Sequence, residues 1–361
     1  MNSTRQLHDL GQSLWLDNIT RQLLSSGTLK RYIDELSVTG LTSNPTSFNL
    51  AIKGSADYDE TIRTHLKAGL AGETLFFKLA IEDLTQAAEL FLPVYRRTAG
   101  VDGWVSLEVS PLLAYDTAAT TAAAQRLHDE TNRPNVFIKI PGTPEGLPAI
   151  EESIFAGVPV NVTLLFSRDQ YLAAADAYLK GIERRIAAGL SPDVASVASV
   201  FVSRWDGAVA SKVPDDLKNT LGIATSLQTY KAYRALLDSP RWQRAFNMGA
   251  RAQRLLWAST GTKDPNAPDT LYVTRLAAPF TVNTMPEGTL TAFADHGRVG
   301  ALLPGDGGDA EATLAKFAKA GIDVDALALK LQKDGAQSFV TSWTELLGVI
   351  TSKAEALKKA G

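Results

Sequence analysis

The stretch "NVFIKIPGTPEGL", Asn135 to Leu147, decides how the chain is to be read. Its β-branched and aromatic residues and its Pro-Gly stop describe a short, fully buried strand running into a turn. In the middle stands Lys139. An ammonium buried without a partner costs several kcal/mol, by order of magnitude. Either the lysine escapes to solvent or its charge has a task, and the neighbouring strands must supply the partners for that task.

Seven further runs share this form: 13–19, 37–43, 104–110, 159–166, 194–202, 254–260 and 280–284. Amphipathic patterns separate them. In "RDQYLAAADAYLKGIERRIAAG" (168–189), Tyr171, Leu172, Ala175, Tyr178, Leu179 and Ile182 recur at helical spacing and Gly189 supplies a stop. Eight short strands alternating with helices predict an α/β fold with a parallel sheet. A closed (β/α)8 barrel needs about 250 residues. This chain has 361, with room for extra helices in 45–103, 205–253 and 285–361. The expected architecture is one barrel domain over 1–361 with C-terminal helices from about 285; an open doubly wound sheet satisfies the same periodicity.

Composition removes several function classes. A formal charge of −3, with no basic tract, argues against nucleic-acid binding. The chain has no cysteine, so disulfides and thiol chemistry are excluded. The four histidines are scattered, without HExxH or HxxxH spacing, so no metal site is expected. The N-terminus lacks an apolar signal segment and no run approaches the ~20 residues of a membrane span, which predicts a cytoplasmic protein. No feature selects an oligomeric state.

In a parallel barrel the reactive groups sit at the C-terminal ends of the strands. Those ends carry Asp17 and Asn18; Thr42, Ser43 and Asn44; Glu108 and Ser110; Lys139; Asn161 and Thr163; Ser199, Ser203 and Arg204; Ser259 and Thr260; Asn283 and Thr284. A dry pocket favours the neutral amine of a lysine, which attacks carbonyls and forms a Schiff base able to act as an electron sink. Asp17 and Glu108 are then the available proton carriers. The bland alternative makes Lys139 and Glu108 a structural ion pair, and both remain open at this stage. Arg204 and Lys263, after successive strands, suit a phosphate; alternatively Arg204 pairs with Asp206 and Lys263 with Asp264. In "GLTSNPTSF" (40–48), Asn-Pro forms a turn and a Ser or Asn can cap the following helix; that reading accounts for Ser43 and Thr46, whereas a buried Asn44 amide needs a partner of its own. Lys78 reads as a snorkelling surface lysine.

"GLTSNPTSF" and "VFIKIPGTPEGLPAI" together resemble the two characteristic motifs of the transaldolase family. "WLDN", "VSLEVSP", "NVTLLFS" and "SVFVSRWDG" are similar to its other strand-end segments, and the likeness runs from about Leu14 to Asn283. "LLWASTGTKDP" and "TVNTMPEGTL" look like the longer bacterial branch. The resemblance implies a (β/α)8 barrel that moves a dihydroxyacetone unit between sugar phosphates in the non-oxidative pentose phosphate pathway, with neither metal nor organic cofactor. By similarity Lys139 forms the Schiff base and Asp17 takes the C4 hydroxyl proton. Glu108, with a water held by Thr163, shuttles protons. Asn44 and Asn161 hold hydroxyls of the three-carbon unit beside Ser199, and Arg204 binds phosphate. The short-branch motif after the seventh strand supplies a second phosphate-binding arginine, where this chain has "STGTKD" and Lys263 is the nearest cation. A fructose 6-phosphate aldolase would use the same lysine, but that relative commonly has no acid at the Glu108 position. A non-catalytic sugar-phosphate sensor would need Arg204 but not Lys139, Asp17 and Glu108 together. The C-terminal stretch places Phe339, Trp343, Leu346 and Leu347 at helical spacing, which predicts a helix on the outside or rim of the barrel.

Overall fold

A computed structural model describes residues 2–359. Eight parallel strands, β1 (Gln12–Asp17), β2 (Val38–Thr42), β3 (Trp104–Glu108), β4 (Val136–Pro141), β5 (Val160–Leu165), β6 (Ser196–Phe201), β7 (Arg254–Ala258) and β8 (Thr281–Met285), close into a barrel in chain order. β1 pairs with both β2 and β8, which excludes the open sheet. The strands fall where the sequence predicts, trimmed by one or two residues at several ends. β3 stops at Glu108 because Pro111 opens a 3-10 turn there.

The surplus length forms helices. Segment 45–103 contains three, Pro45–Gly54, Asp59–Lys67 and Gly72–Arg97, and the chain after β8 adds Glu287–His296, Ala310–Lys319 and a 36-residue helix, Val324–Lys359. The expected helix after β5 spans Arg168–Ala187. Ser167 and Gln170 form a capping box at its start, and Gly189 at φ +71° follows its end.

Inside the barrel, apolar and polar side chains lie in layers. Trp15, Trp104 and Phe137 plug the interior below the strand ends, with the Trp104 and Phe137 rings stacked at 4.1 Å and Trp15 6.0 Å from Phe137. Two residues further along the same strands stand Asp17, Ser106 and Lys139, on the same face by strand alternation. The aromatic layer therefore floors a polar one. Gly40 pairs with both Trp15 and Trp104 in register, and an added Cβ there would lie 2.7 Å from the Trp15 ring and from the Trp104 carbonyl. Gly40→Ala should therefore cost about 1–3 kcal/mol by overpacking, readable as a lower midpoint in chemical denaturation. An unchanged midpoint would mean that the floor can shift.

Candidate active site

Register brings the polar residues together. Asp17 pairs with Thr42, Glu108 with Lys139, Lys139 with Asn161, and Pro141 with Thr163. Neighbouring residues in parallel strands share a face, so five strands aim these groups into one chamber. A cavity of about 700 Å³ opens onto it, lined among others by Asp17, Asn44, Lys139, Thr163, Ser199, Arg204 and Lys263. Glu108 and Asn161 are held behind that lining.

Lys139 is 5% exposed and does not reach solvent. Its Nζ lies 3.6 Å from Glu108 Oε2 and donates to the Ser43 carbonyl at 3.3 Å. The ion pair expected as the bland alternative is thus present, but longer than a hydrogen bond. Burial pushes the Glu108 carboxyl up to about 7, with Lys139 and Arg204 opposing the shift and Asp17 adding to it. Glu108 Oε2 and Thr163 Oγ1 are both buried without a hydrogen-bond partner. Buried polar atoms are normally satisfied, so each of these oxygens is free to receive a donor.

Asp17 is held by two donors. Thr42 Oγ1 donates to it at 2.9 Å and Asn44 Nδ2 at 3.3 Å. Because the single Thr42 proton goes to Asp17, Thr284 must donate to Thr42 across 2.7 Å. Of the serine and asparagine able to cap the following helix, Asn44 does so, its Oδ1 accepting from Ser47 N at 3.0 Å. One asparagine thereby fixes the helix Pro45–Gly54 and orients the carboxylate. Asn161 is likewise committed at both ends, donating to Ser106 Oγ at 3.1 Å and accepting from Ser199 Oγ at 2.7 Å. Immediately after Thr163 the β5 ladder slips: Leu164 takes φ +60° and the register with β6 shifts there. Such a bulge bends the strand and re-aims the side chains beside it.

Arg204 opens the short helix Ser203–Val209. Its guanidinium lies 4.9 Å from the Phe201 ring centroid and 5.7 Å from that of Phe339, and no carboxylate pairs with it among the described residues. Burial pulls its pKa down while Glu108 and Asp17 resist, and a guanidinium stays charged under such a pull. The alternative pairings do not occur. Asp206 accepts from Tyr272 Oη at 2.8 Å and from Leu221 N at 2.9 Å, and Asp264 accepts from Asn219 Nδ2 at 2.7 Å. Lys263 is exposed at the rim of the cavity, without an ion pair among the described residues. Lys78 snorkels to Glu130 at 2.9 Å on the outer surface, far from strand ends. Among the described residues no group of three or more histidine or acidic side chains could hold a metal ion.

Sequence reasoning names Thr42 and Thr284 at strand ends but gives them no task; the available signal was register, Thr42 opposite Asp17 and Thr284 opposite Trp15 on the same strand. It missed Phe201 and Phe339 as walls of the chamber. Phe201 follows Ser199 by two on the same strand, so alternation could have found it. Phe339 comes from a helix more than a hundred residues beyond Arg204, and no local pattern points to it.

Fold and site define a parallel-barrel protein whose strand ends confine a buried lysine, two carboxylates and a free guanidinium. The family model described as transaldolase/fructose-6-phosphate aldolase matches residues 14–350. The chain is 44% identical over 368 residues to the transaldolase of Arthrobacter sp. (strain FB24), covering 99% of each chain. It is also 44% identical to the transaldolase of Parafrankia sp. (strain EAN1pec), over 96% of this chain and 97% of that one, and to that of Acidothermus cellulolyticus, over 98% and 97%. The chain belongs to the transaldolase/fructose-6-phosphate aldolase family.

The Glu108 carboxyl, at about 7 in the fold against 4.5 for an ordinary glutamate, binds its proton more tightly folded than unfolded. Its contribution to stability is present at low pH and is lost as pH rises through that window. Denaturant midpoints taken from about pH 5 to about pH 8 should fall in the native protein relative to Glu108→Gln. Parallel curves would show that Glu108 ionises like a solvent-exposed acid.

Proposed function

We propose that the chain catalyses transaldolase chemistry, moving a dihydroxyacetone unit from fructose 6-phosphate or sedoheptulose 7-phosphate to an aldose phosphate through a Schiff base on Lys139. The observation that carries this reading is the Lys139 Nζ, buried between the Glu108 carboxyl and the Ser43 carbonyl and opening onto a cavity that also takes in Asp17, Asn44 and Arg204. A structural ion pair has no need of such a cavity. Identity to proteins named transaldolase over nearly the whole chain supports the same reaction.

The neutral Lys139 amine adds to the donor's C2 carbonyl. A carboxyl near 7 beside it can donate and recover protons at neutral pH, so Glu108 serves carbinolamine formation and loss of water. The Thr163 hydroxyl, which has no partner within the protein, holds the water through which those protons pass. Asp17, oriented by Thr42 and Asn44, takes the C4 hydroxyl proton; the C3–C4 bond breaks, its electrons enter the iminium, and the aldose leaves. The acceptor aldehyde then retraces the steps, with Asp17 returning the proton to the new C4 oxygen. Asn44, Asn161 and Ser199 line or support the pocket for the three-carbon unit. Arg204 receives the phosphate as the site's unpaired guanidinium, and exposed Lys263 adds a second positive charge at the rim. In the cytoplasm this reaction serves the non-oxidative pentose phosphate pathway. The acid at Glu108 favours transfer over simple aldol cleavage.

Borohydride reduction with fructose 6-phosphate, read by intact mass and peptide mapping, should leave a dihydroxyacetone-sized adduct on the Lys139 peptide. Lys139→Ala should carry none and be inactive; turnover in that variant would overturn the mechanism. Asp17→Ala should still form an imine with the intact donor while turnover falls by about 10²–10⁴-fold. Arg204→Ala should raise KM for phosphorylated donors by about 10–100-fold, the range of one charge-assisted hydrogen bond. An unchanged KM would remove Arg204 from the phosphate site.

A further inference from the structure

The helix Val324–Lys359 does more than pack on the barrel wall. Three of its residues, Gln332, Gly335 and Phe339, recur at helical spacing and meet the strand ends in turn. Gln332 Nε2 donates to the Gly142 carbonyl at 2.9 Å and the Leu164 carbonyl at 3.0 Å. Those carbonyls belong to the turn after the Lys139 strand and to the bulge after Thr163. At Gly335 an added Cβ would lie 2.9 Å from Leu164 Cδ2 and 3.1 Å from Arg204 Nη1, so the helix backbone itself presses on the guanidinium. One turn on, the Phe339 ring stands 5.9 Å from Lys139 Nζ and 5.7 Å from Arg204 Cζ, is 6% exposed, and lines the cavity. Beyond it the helix is tied down again, by Ser342 to Thr46 at 2.9 Å and by Lys353 to Asp59 at 2.9 Å.

We propose that this helix is a fixed roof over the Lys139 chamber, and that Phe339 sets the partition between transfer and hydrolysis by excluding water. The proposal rests on the Schiff-base reading above. After the aldose leaves, the three-carbon enamine on Lys139 has two fates. An acceptor aldehyde can form the new C–C bond. Alternatively one water is consumed: its proton goes to the carbon that had been bonded to C4, its hydroxide adds to C2 of the resulting iminium, and the carbinolamine collapses to dihydroxyacetone and the free amine. Both fates start from the same intermediate, so their ratio measures access of water and not the amount of active enzyme. An apolar ring beside the lysine withholds water from the second fate while leaving the cavity open to an aldehyde.

The test uses the full chain with fructose 6-phosphate as donor and erythrose 4-phosphate as acceptor. Acceptor-independent dihydroxyacetone release is divided by transfer, and borohydride trapping is run in parallel. In Phe339→Ala this ratio should rise by about tenfold, equivalent to about 1.4 kcal/mol between the two barriers, with the Lys139 adduct still formed. Gln332→Met removes the pins without touching the chamber and should shift the ratio in the same direction. It decides the matter if Phe339→Ala does not fold. An unchanged ratio in variants that still trap the adduct would overturn the roof alone. Absence of an adduct in the native protein would overturn the Schiff-base reading and the roof with it.

Discussion

A lysine and a glutamate, both nine-tenths buried and 3.6 Å apart, set the terms for the rest of the molecule. Taking either charge out of water costs several kcal/mol by order of magnitude, and a loose pair does not fully offset that cost. The fold supports the pair by confining it on every side. Trp15, Trp104 and Phe137 close the barrel beneath it, the Ser43 carbonyl accepts from the ammonium, and Phe339 stands over it. Glu108 responds by holding its proton near neutral pH. A residual electrostatic penalty thus becomes a chemical property, a carboxyl able to give and take a proton where the reaction needs one.

Closure of the sheet converts that local pair into a site. In an open sheet β1 and β8 would be edges, and Thr284 would not meet Thr42. In the barrel, Thr284 of β8 donates to Thr42 of β2, which donates to Asp17 of β1. The chain of donors runs around the ring and fixes a carboxylate that could otherwise rotate. The slip at Leu164 works in the same way. Its backbone conformation is uncommon for a residue with a Cβ, and its carbonyl, released from the ladder, is recaptured by Gln332. Strain in β5 and the position of the last helix are therefore parts of one arrangement.

Most of this was legible in sequence because strand alternation and barrel topology are local rules with a global consequence. Eight apolar runs located the strands, and the polar residues at their ends located Asp17, Glu108, Lys139 and Thr163. Resemblance then assigned their tasks. Asn44 shows where local rules run short: they allow it a helix cap and ask for a partner for its amide, but only the folded register brings Asp17 to that amide. Arg204 shows the opposite case. Its sequence neighbour Asp206 looked like a partner, but that carboxylate is claimed by backbone amides at the start of the helix Leu221–Leu237 and by Tyr272. Phe339 and Gln332 were out of reach for a different reason. Helical spacing reports that a face is buried, and reads the same whether that face meets the barrel wall or crosses its mouth.

The groups left without partners are then informative as a set. Glu108 Oε2 and Thr163 Oγ1 lack hydrogen-bond partners and the Arg204 guanidinium lacks a counter-charge; Thr163 and Arg204 line the chamber, and Glu108 stands behind that lining against Lys139. A chain selected for stability alone would have paired or replaced them. The ketose phosphate in the proposed reaction brings a carbonyl for the lysine, hydroxyls for the unpartnered oxygens and a dianion for the arginine. It completes the electrostatics that the fold leaves open. That complementarity also explains why the roof must be apolar: a hydroxyl or carboxylate at position 339 would offer the same groups a partner from within the protein and remove the advantage of the substrate.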